Sequence, residues 1–317
     1  MLVMVKILAV TEYYNEAKNI PGLVRNLAAQ SYPPDFWLII DDGSTDDSTR
    51  IFEKNLEQSN IPYMLFSMPP KAKPDQNLKG RAFRKLDILN NEWVDSDRFD
   101  FLLLTGGDSR FPKYYTEIGV RILQEFPQIG AMAGRIRGEV GSDTPMGAGK
   151  IVRWEVVRET KGKYWDLDPD SLWNVIALRM GYKLLIPKDL LIWTTRPTHM
   201  YAPSGLYDYG SRMYYLGWNP LHAIIYSLFL AIQRTHPQHF LRGYLHKYIE
   251  GTWHCEDEEL QRFYSFKRMI MRILNVVPMK DRATIVSIGA DRIDDGKLTE
   301  EYMIGVFEII RKGIYQK

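Results

Sequence analysis

An aspartate follows a pair of glycines at the end of an apolar run in the first half of the chain. The run FDFLLL spans residues 99–104, and Thr105, Gly106 and Gly107 lead from it to Asp108. A run this short is not typical of a helix, and the glycine pair indicates a buried strand that ends in an exposed loop. In open α/β sheets the ligand crevice lies at the carboxyl ends of the strands. Asp108 is therefore a candidate to hold a divalent cation or a ligand hydroxyl, unless it is only a solvated loop residue.

Two more aspartates end another apolar run. Residues 36–40 read FWLII, and Asp41 and Asp42 follow them directly, before the turn-forming sequence GSTDDST. A carboxylate pair disfavours bare phosphate, but its oxygens can accept hydrogen bonds from a base ring N–H or from ribose hydroxyls. The alternative is structural, because an aspartate before a helix often caps the first turn. Both interpretations stay open on these residues alone.

A basic segment precedes the run that leads to Asp108. Residues 68–85 read MPPKAKPDQNLKGRAFRK, in which cationic side chains surround the flexible Gly80. Lysine and arginine side chains in such a loop can bind a diphosphate, whose charge they complement. A solvated surface loop is the alternative. The cationic residues are Lys71, Lys73, Lys79, Arg81, Arg84 and Lys85.

Short apolar runs alternate with helical patterns in this part of the chain. Strands are predicted at residues 5–11, 36–40 and 63–67, each followed by a polar loop. Residues 20–30 carry apolar side chains at helical spacing, and residues 83–92 predict another helix. Repeated βα units with short connections predict an α/β fold with a doubly wound, mostly parallel sheet.

Composition is that of a soluble globular protein. The chain has 317 residues, 45% of them hydrophobic and 25% charged, and its formal net charge of +2 gives no reason to expect a nucleic-acid partner. The single Cys255 excludes an internal disulfide and a cysteine-based zinc site, and it fits a reducing cytosol.

The opening MLVMVKILAV lacks a clear cleavage site, so we expect no secretory signal. The apolar window 223–232 is too short to span a bilayer and predicts a buried helix, with docking on a membrane surface as the alternative.

Several motifs together resemble the family-2 glycosyltransferases, which have the GT-A fold. Tyr14-Asn15-Glu16 follows the first strand, DDGSTD follows the second, and KGRAFRK precedes the strand that leads to Asp108. Residues 151–160, IVRWEVVRET, resemble the helix before the family's catalytic loop, and residues 166–187, DLDPDSLWNVIALRMGYKLLIP, resemble its acidic motif, helix and exit into a strand. The resemblance covers roughly residues 5–205. It implies a Rossmann-like GT-A domain, a UDP- or GDP-sugar donor, a divalent cation (Mg²⁺ or Mn²⁺) and usually inversion at the anomeric carbon.

The resemblance also assigns donor contacts residue by residue. Asp41 or Asp42 matches the family's base- or ribose-binding acid. The nucleotide-contacting segment matches Glu12, Tyr14 and Glu16. The positions expected near the diphosphate are Lys79, Arg81, Arg84, Gly107 and Arg196.

The metal motif departs from the family pattern. Members generally carry Asp-X-Asp after the central strand, whereas the matching positions here read Thr105-Gly106-Gly107-Asp108. Mg²⁺ commonly takes only one or two carboxylates together with phosphate oxygens and water. Asp108 and His199, in RPTHMYAPS, are therefore the predicted metal ligands, and a structural histidine is the alternative for His199. Without a metal, Arg196 with Lys79, Arg81 or Arg84 would have to neutralise the diphosphate.

The family's general base is an aspartate at the start of the helix after the acidic motif. Asp170 matches it best, by its spacing of eleven residues to Gly181, and Asp168 is the second candidate. Capping of that helix is the alternative role for both. Trp165 and Trp173 flank these acids and are predicted either to stack on a sugar or to lie in the core.

The sequence after residue 205 changes to aromatic, helix-prone segments, so we predict a GT-A domain at residues 1–205 and a helical extension at 206–317. Its role is left open: the extension could cover the acceptor, pair subunits into a homo-oligomer or rest on a membrane surface.

The predicted function is that of an inverting glycosyltransferase of glycan, polysaccharide or glycolipid synthesis. Its acceptor would be a saccharide or a lipid-linked saccharide, and it would act in the cytoplasm or at the inner face of the cell membrane. A catalytically silent sugar-nucleotide-binding protein is one rival. A sugar nucleotidyltransferase is another, although it would carry a Gly-rich basic loop where this chain has EYYNEAKN.

Overall fold

The computed structural model describes residues 4–71, 80–86, 99–138, 144–161, 164, 169–195, 203–232, 235–252, 254–255, 257–274, 283–288 and 300–315. The chain forms two compact units, one of Met1–Thr195 with Arg282–Lys317 and the other of Arg196–Asp281. These units divide the chain differently from the predicted segments 1–205 and 206–317, because the last stretch returns to the first unit. The functional division at residue 205 stays a prediction.

The described residues of the first unit form two sheets. In the described residues the strands are β1 (Ile7–Tyr13), β2 (Phe36–Asp41), β3 (Tyr63–Ser67), β4 (Phe101–Gly106), β5 (Ser109–Arg110), β6 (Ile129–Met132), β7 (Arg135–Ile136), β8 (Ile151–Arg153), β9 (Lys183–Pro187), β10 (Leu191–Thr194) and β11 (Thr284–Val286). The large sheet has the order β11-β9-β6-β8-β4-β1-β2-β3, and a small sheet has the order β5-β10-β7. Among the described strands of the large sheet, β8 alone runs antiparallel to its neighbours.

The helices, in chain order, are α1 (Ile20–Ala28), α2 (Ser48–Leu56), α3 (Tyr115–Glu125), α4 (Trp154–Arg158), α5 (Pro169–Arg179), α6 (Pro203–Tyr215), α7 (Pro220–Ile232), α8 (Pro237–Glu250), α9 (Glu258–Phe263), α10 (Phe266–Ile273) and α11 (Glu300–Tyr315). Residues 80–86 are also helical. Strands β1, β2 and β4 are buried almost throughout, as expected of parallel strands that are covered on both faces.

The order of the strands reverses direction at β1. Strand β2 pairs with β1 on one side and β4 pairs with it on the other, both in parallel. Glu12 lies opposite Gly106, and Tyr13 lies opposite Asp41. The carboxyl ends of the three strands therefore meet at one edge, and such a switch point is where open α/β sheets bind ligands.

The second unit is helical in its described residues. Helices α6 and α8 cross at two glycines, where a Cβ on Gly210 would lie 2.0 Å from the carbonyl oxygen of Phe240. A Cβ on Gly243 would lie 1.9 Å from the carbonyl oxygen of Tyr207. Only glycine permits so close an approach of the two backbones.

The α/β fold with a doubly wound, mostly parallel sheet and a helical C-terminal region is confirmed. The strand predicted at residues 63–67 is β3, with the same bounds. The helix expected over residues 151–160 is wrong in its first part, because residues 151–153 form β8, between β4 and β6, before α4 begins at Trp154. No helix in the described part of the chain combines the length and the apolar character that crossing a membrane requires.

Candidate functional site

The loops after β1 and β2 are joined by hydrogen bonds. Asn15 has a positive φ of 54° and receives the backbone N–H of Thr45 on its Oδ1 at 2.8 Å, while its own N–H donates to Ser44 Oγ at 2.9 Å. The N–H of Glu16 donates to Ser48 Oγ at 2.8 Å. Asparagine tolerates this left-handed backbone better than most residues. The segment that carries Tyr14 and Glu16 is thereby fixed beside the turn after β2.

Asp41 has a structural role, but in the turn before α2 rather than as the helix cap that the sequence left open. Its Oδ1 accepts the backbone N–H of Ser44 at 2.7 Å, and its Oδ2 accepts the Thr49 hydroxyl, also at 2.7 Å. Tyr13 Oη lies 3.1 Å from the same Thr49 hydroxyl, and burial raises the pKa of Tyr13 well above its usual range. Asp41 thus stabilises the turn and the first turns of α2. Its predicted contact with a base or ribose stays a prediction.

Asp42 lies in a buried charge cluster with Lys71 and Arg81. Lys71 Nζ is 2.5 Å from Asp42 Oδ2, and Arg81 Nη2 is 2.8 Å from Oδ1. The Asp42 side chain is 0% exposed and that of Lys71 only 7%. Lys71 Nζ also lies 4.2 Å from the centre of the Tyr14 ring, which places a cation–π contact over the β1 loop. The cluster links three strand ends, since Lys71 follows β3.

The turn after β4 is built from small residues. The N–H of Gly106 donates to Ser109 Oγ at 3.0 Å, and a Cβ on Gly107 would lie 2.7 Å from Glu16 Cγ. Gly107 is therefore required for contact between this turn and the β1 loop. Asp108 is half-buried, and its carbonyl oxygen accepts the N–H of Thr195 at 3.1 Å. The turn thus holds Asp108 close to the β1 loop, where a donor diphosphate is predicted.

The described residues offer a divalent cation few ligands. They include no group of three or more His, Cys, Asp or Glu side chains arranged to hold a metal ion. Asp108 fits a cation only as one ligand among several, with phosphate oxygens and water supplying the rest, as Mg²⁺ sites commonly do. His199 lies outside the described residues, so its role as a ligand stays a prediction.

Asp170 lies in the first turn of α5 and contacts a buried lysine. Lys150 Nζ donates to the main-chain oxygen of Asp170 at 2.7 Å and lies 3.3 Å from its Oδ2. The Lys150 side chain is 0% exposed and that of Asp170 is 21% exposed. Because α5 begins at Pro169, Asp170 lies inside the helix rather than at its N-cap, and its carboxylate faces the loop before β8.

The loop at residues 144–150 is fixed to β4, α3 and α5. The N–H of Leu104 donates to the Lys150 carbonyl at 2.8 Å, and the N–H of Gly149 donates to the Leu104 carbonyl at 2.9 Å. Tyr115 Oη donates to the Gly149 carbonyl at 2.7 Å. Asn174, one turn after Asp170 in α5, donates to the carbonyl of residue 145 at 3.0 Å. Since Leu104 is near the end of β4, these bonds bring Asp170 to the same edge of the sheet as Asp108.

The other residues predicted for the site differ in their surroundings. Glu12 is half-buried at the end of β1, and Arg84 Nη2 donates to the carbonyl of Tyr164 at 3.4 Å. Trp173 is fully buried against Phe83, so it belongs to the core and does not stack on a sugar. Four predicted site residues and one flanking tryptophan lie outside the described residues: Lys79, Asp168, Arg196, His199 and Trp165.

Two lysines at the site pair with aspartates in a way that the sequence does not predict. Lys71 was only one of six cations in a basic segment, and its pairing with Asp42 depends on the fold. Lys150 follows GAG and precedes two β-branched residues, a pattern that indicates no chemistry by itself. A lysine directly after Gly-Ala-Gly was the available signal, but nothing in the sequence pairs it with a residue twenty positions later.

Residues 9–66 match the family model described as Glycosyl transferase family 2, which confirms the resemblance for that segment. Among solved structures, the chain is similar to a mannosyltransferase from Pyrobaculum calidifontis in complex with GDP-Man and Mn²⁺, at 15% identity and a TM-score of 0.54 over 99% of this chain and 88% of that one. It is also similar to S. aureus TarS 1-349 in complex with UDP-GlcNAc, at 16% identity and a TM-score of 0.48 over 98% and 93% of the two chains. No curated protein matches. At these identities the similarity supports the GT-A fold alone.

Proposed function

We propose that this chain, which carries a glycosyl transferase family 2 segment on a GT-A-like fold, transfers a hexose from a nucleoside diphosphate sugar to an acceptor hydroxyl with inversion. The observation that carries the proposal is the gathering of acids at the β1 switch point. The β1 loop, the Asp41-Asp42 turn and Asp108 meet there, and Asp170 reaches the same edge through the loop that ends at Lys150.

The donor would lie across the ends of β1 and β4. Its base and ribose would contact the β1 loop and the Asp41-Asp42 turn, and its diphosphate would approach Gly107 and Asp108. Gly106 and Gly107 carry no side chain, which lets this turn pack closely against Glu16 and holds Asp108 beside the β1 loop. The mannosyltransferase with a TM-score of 0.54 was solved with GDP-Man, which supports a GDP-sugar, and a UDP-sugar is kept as the alternative donor.

Asp170 would act as general base. Its carboxylate takes the proton of the acceptor hydroxyl while the acceptor oxygen forms a bond to the anomeric carbon. The bond from that carbon to the diphosphate breaks at the same time, and its electron pair leaves with the phosphate. Attack on the face opposite the leaving group inverts the anomeric configuration.

The departing diphosphate develops negative charge that must be stabilised. A divalent cation bound jointly by Asp108 and the phosphates would supply this stabilisation. Arg84, with the predicted Lys79 and Arg196, is the cationic alternative on the chain itself. Arg81 is less suited to this role because its guanidinium is engaged by Asp42.

A peripheral contact with the inner face of the cell membrane is part of the proposal and would suit a lipid-linked saccharide acceptor. It is supported by α7, whose exposed side chains are all apolar, whereas His222 and Ser227 point inward. The unit that contains α7 has ten Lys and Arg against seven Asp and Glu, a net charge of +3 that complements anionic headgroups.

A thermal-shift screen of nucleoside diphosphates and their sugars, with Mg²⁺, Mn²⁺ or EDTA, tests donor binding, because a ligand of the native state raises its apparent stability. Donor turnover in the same conditions, beside Asp170→Asn and Asp108→Asn, tests catalysis. We expect turnover by the native chain and its loss in Asp170→Asn. Binding without turnover over a range of saccharide acceptors would favour a catalytically silent sugar-nucleotide-binding protein. Turnover that survives EDTA and Asp108→Asn would overturn the metal site alone.

A further inference from the structure

Lys150 is buried completely beside the proposed base. An ammonium group without water costs several kcal/mol unless it is paired and hydrogen-bonded. Lys150 Nζ contacts two atoms of Asp170, the main-chain oxygen at 2.7 Å and Oδ2 at 3.3 Å. Two contacts from one cation fix both the start of α5 and the orientation of the carboxylate.

A glycine supports the same carboxylate from the loop that precedes Lys150. A Cβ on Gly147 would lie 2.6 Å from Asp170 Oδ2 and 3.0 Å from its Cγ, so only glycine leaves room for the carboxylate in this position. Lys150 bonds back to this glycine, its N–H donating to the Gly147 carbonyl at 3.2 Å. The loop therefore forms a seat for Asp170, with a buried cation on one side and a side-chain-free backbone on the other.

The seat is rigid because it is tied to the sheet. Lys150 and Gly149 bond to Leu104 of β4, and Asn174 bonds the far end of the loop to α5. A shift of this loop relative to the end of β4 or to α5 would have to break these bonds. Catalytic groups held by such supports keep the geometry that proton transfer needs.

We infer that Lys150 is a positioning residue that holds the Asp170 carboxylate in register with the donor site at the end of β4. This inference rests on the proposed function, in which Asp170 is the base. It assigns Lys150 no contact with the donor. Its removal should slow transfer without weakening donor binding.

The test is Lys150→Met, which keeps a side chain of similar length and removes the charge. We expect the transfer kcat to fall on the order of ten- to a hundredfold, because a misplacement of about 1 Å costs that much. The donor KM should stay within twofold. Lys183→Met is the control, since Lys183 is an exposed lysine at the start of β9, and it should leave both constants unchanged.

A double-substitution cycle separates positioning from folding. If Lys150 acts through Asp170, Lys150→Met should cause no further loss in the residual transfer of Asp170→Asn, since coupled residues are not additive. An equal loss in both backgrounds would overturn the inference, as would unchanged kcat in Lys150→Met. Gly147→Ala displaces the carboxylate while the lysine stays, and it should give the same fall in kcat with an unchanged donor KM.

The two proposals fail in different ways. If the native chain shows no transfer with any donor, the proposed function is overturned and the positioning role falls with it. Unfolding midpoints of the two single variants and the double variant would then identify Lys150 and Asp170 as a structural ion pair. If transfer occurs and survives Asp170→Asn, the base is another residue and the inference on Lys150 is wrong while the activity stands.

Discussion

Asp42, whose contact with the donor stays a prediction, pairs with two cations of the protein itself. The side chain is fully buried and contacts two cations, so its charge is neutralised inside the protein. Arg81 Nε and Nη2 both approach Oδ1, at 3.2 and 2.8 Å. Such a cluster fixes the loop that carries Lys71 and the helix at residues 80–86 against the β2 turn. A contact with a base would require Lys71 or Arg81 to move.

Removal of the Asp42 charge should therefore destabilise the first unit. Asp42→Asn keeps the shape but leaves two cations without their carboxylate, and breaking a buried pair costs about 3–5 kcal/mol. Asp47→Asn is the matched control, because Asp47 pairs with Arg50 at 3.1 Å with side chains 66% and 73% exposed. Exposed pairs contribute about 0–1 kcal/mol. Urea unfolding followed by circular dichroism measures both, and a loss at Asp42 no larger than at Asp47 would contradict the prediction.

His222 should make the second unit sensitive to acid. Its ring stacks on Phe266, with centroids 4.4 Å apart and planes 11° apart, and burial lowers the pKa of His222 below its usual value. Nδ1 has no hydrogen-bond partner in the described part of the chain. The folded state therefore holds the imidazole neutral, whereas the unfolded chain takes up a proton near pH 6.5.

The direction in which stability changes with pH follows from proton linkage. Above about pH 6.5 both states are neutral at His222, and the residue gives no pH dependence. As the pH falls below that value the unfolded state binds the proton first, so stability decreases by at most about 1.4 kcal/mol per pH unit. His222→Phe keeps a stacked ring. Its unfolding midpoint should fall less between pH 7.5 and 5.5 than the midpoint of the native chain does. Equal losses would show that His222 does not titrate in this way.

At the scale of the elements, the β2 turn depends on one glycine. Gly43 has a φ of 80°, which favours glycine, and a Cβ there would lie 2.6 Å from the carbonyl oxygen of Pro69. The loop after β3 thus passes directly over the Asp41-Asp42 turn. Its approach depends on the missing side chain.

A comparison of Gly43→Ala with Gly138→Ala separates two free-energy costs, that of a left-handed backbone and that of the close contact with Pro69. Gly138 has nearly the same φ, 81°, but no heavy atom of the described residues lies within 4 Å of its Cβ position. Both variants should lose about 1 kcal/mol for the left-handed backbone. Gly43→Ala should lose about 1–3 kcal/mol more, since overpacking forces the neighbouring backbone to move. Chemical unfolding measures the difference, and equal losses would mean that the β3 loop yields without cost.

The same elements show how far the sequence predicts the structure. Strand β3 was located by its apolar run alone, and the acids at the ends of β2 and β4 were placed correctly because buried parallel strands have short, nearly continuous apolar runs. Strand β11 was missed, since three residues carry no pattern and their pairing with β9 depends on a partner about a hundred residues earlier. Lys150 was missed for the same reason. Contacts between distant parts of the chain are set by tertiary packing, which no local spacing encodes.

At the scale of the whole molecule, α7 exposes apolar side chains where a surface helix usually exposes polar ones. Its exposed side chains include Leu221, Ile224, Leu228 and Ile232, which recur at helical spacing and form one apolar stripe. Monomeric soluble proteins rarely expose a contiguous apolar surface of this kind without a partner. The proposed lipid surface would complement the stripe, because the helix lies in a unit of net positive charge and is too short to cross a bilayer.

Substitution of the stripe should therefore weaken vesicle binding strongly and leave soluble transfer intact. Ile224→Gln with Leu228→Gln removes two side chains that are 51% and 61% exposed. Since burial of each stabilises by about 1.5 kcal/mol or more, the affinity for vesicles of mixed neutral and anionic lipid should fall on the order of a hundredfold. Ile304→Gln with Ile309→Gln is the control in α11, where the side chains are 60% and 43% exposed, and it should bind as the native chain does. Vesicle sedimentation at low and high salt measures the effect, with the apolar part persisting at high salt. If the native chain does not sediment with vesicles but dimerises through the same stripe, α7 pairs subunits and the membrane contact is wrong.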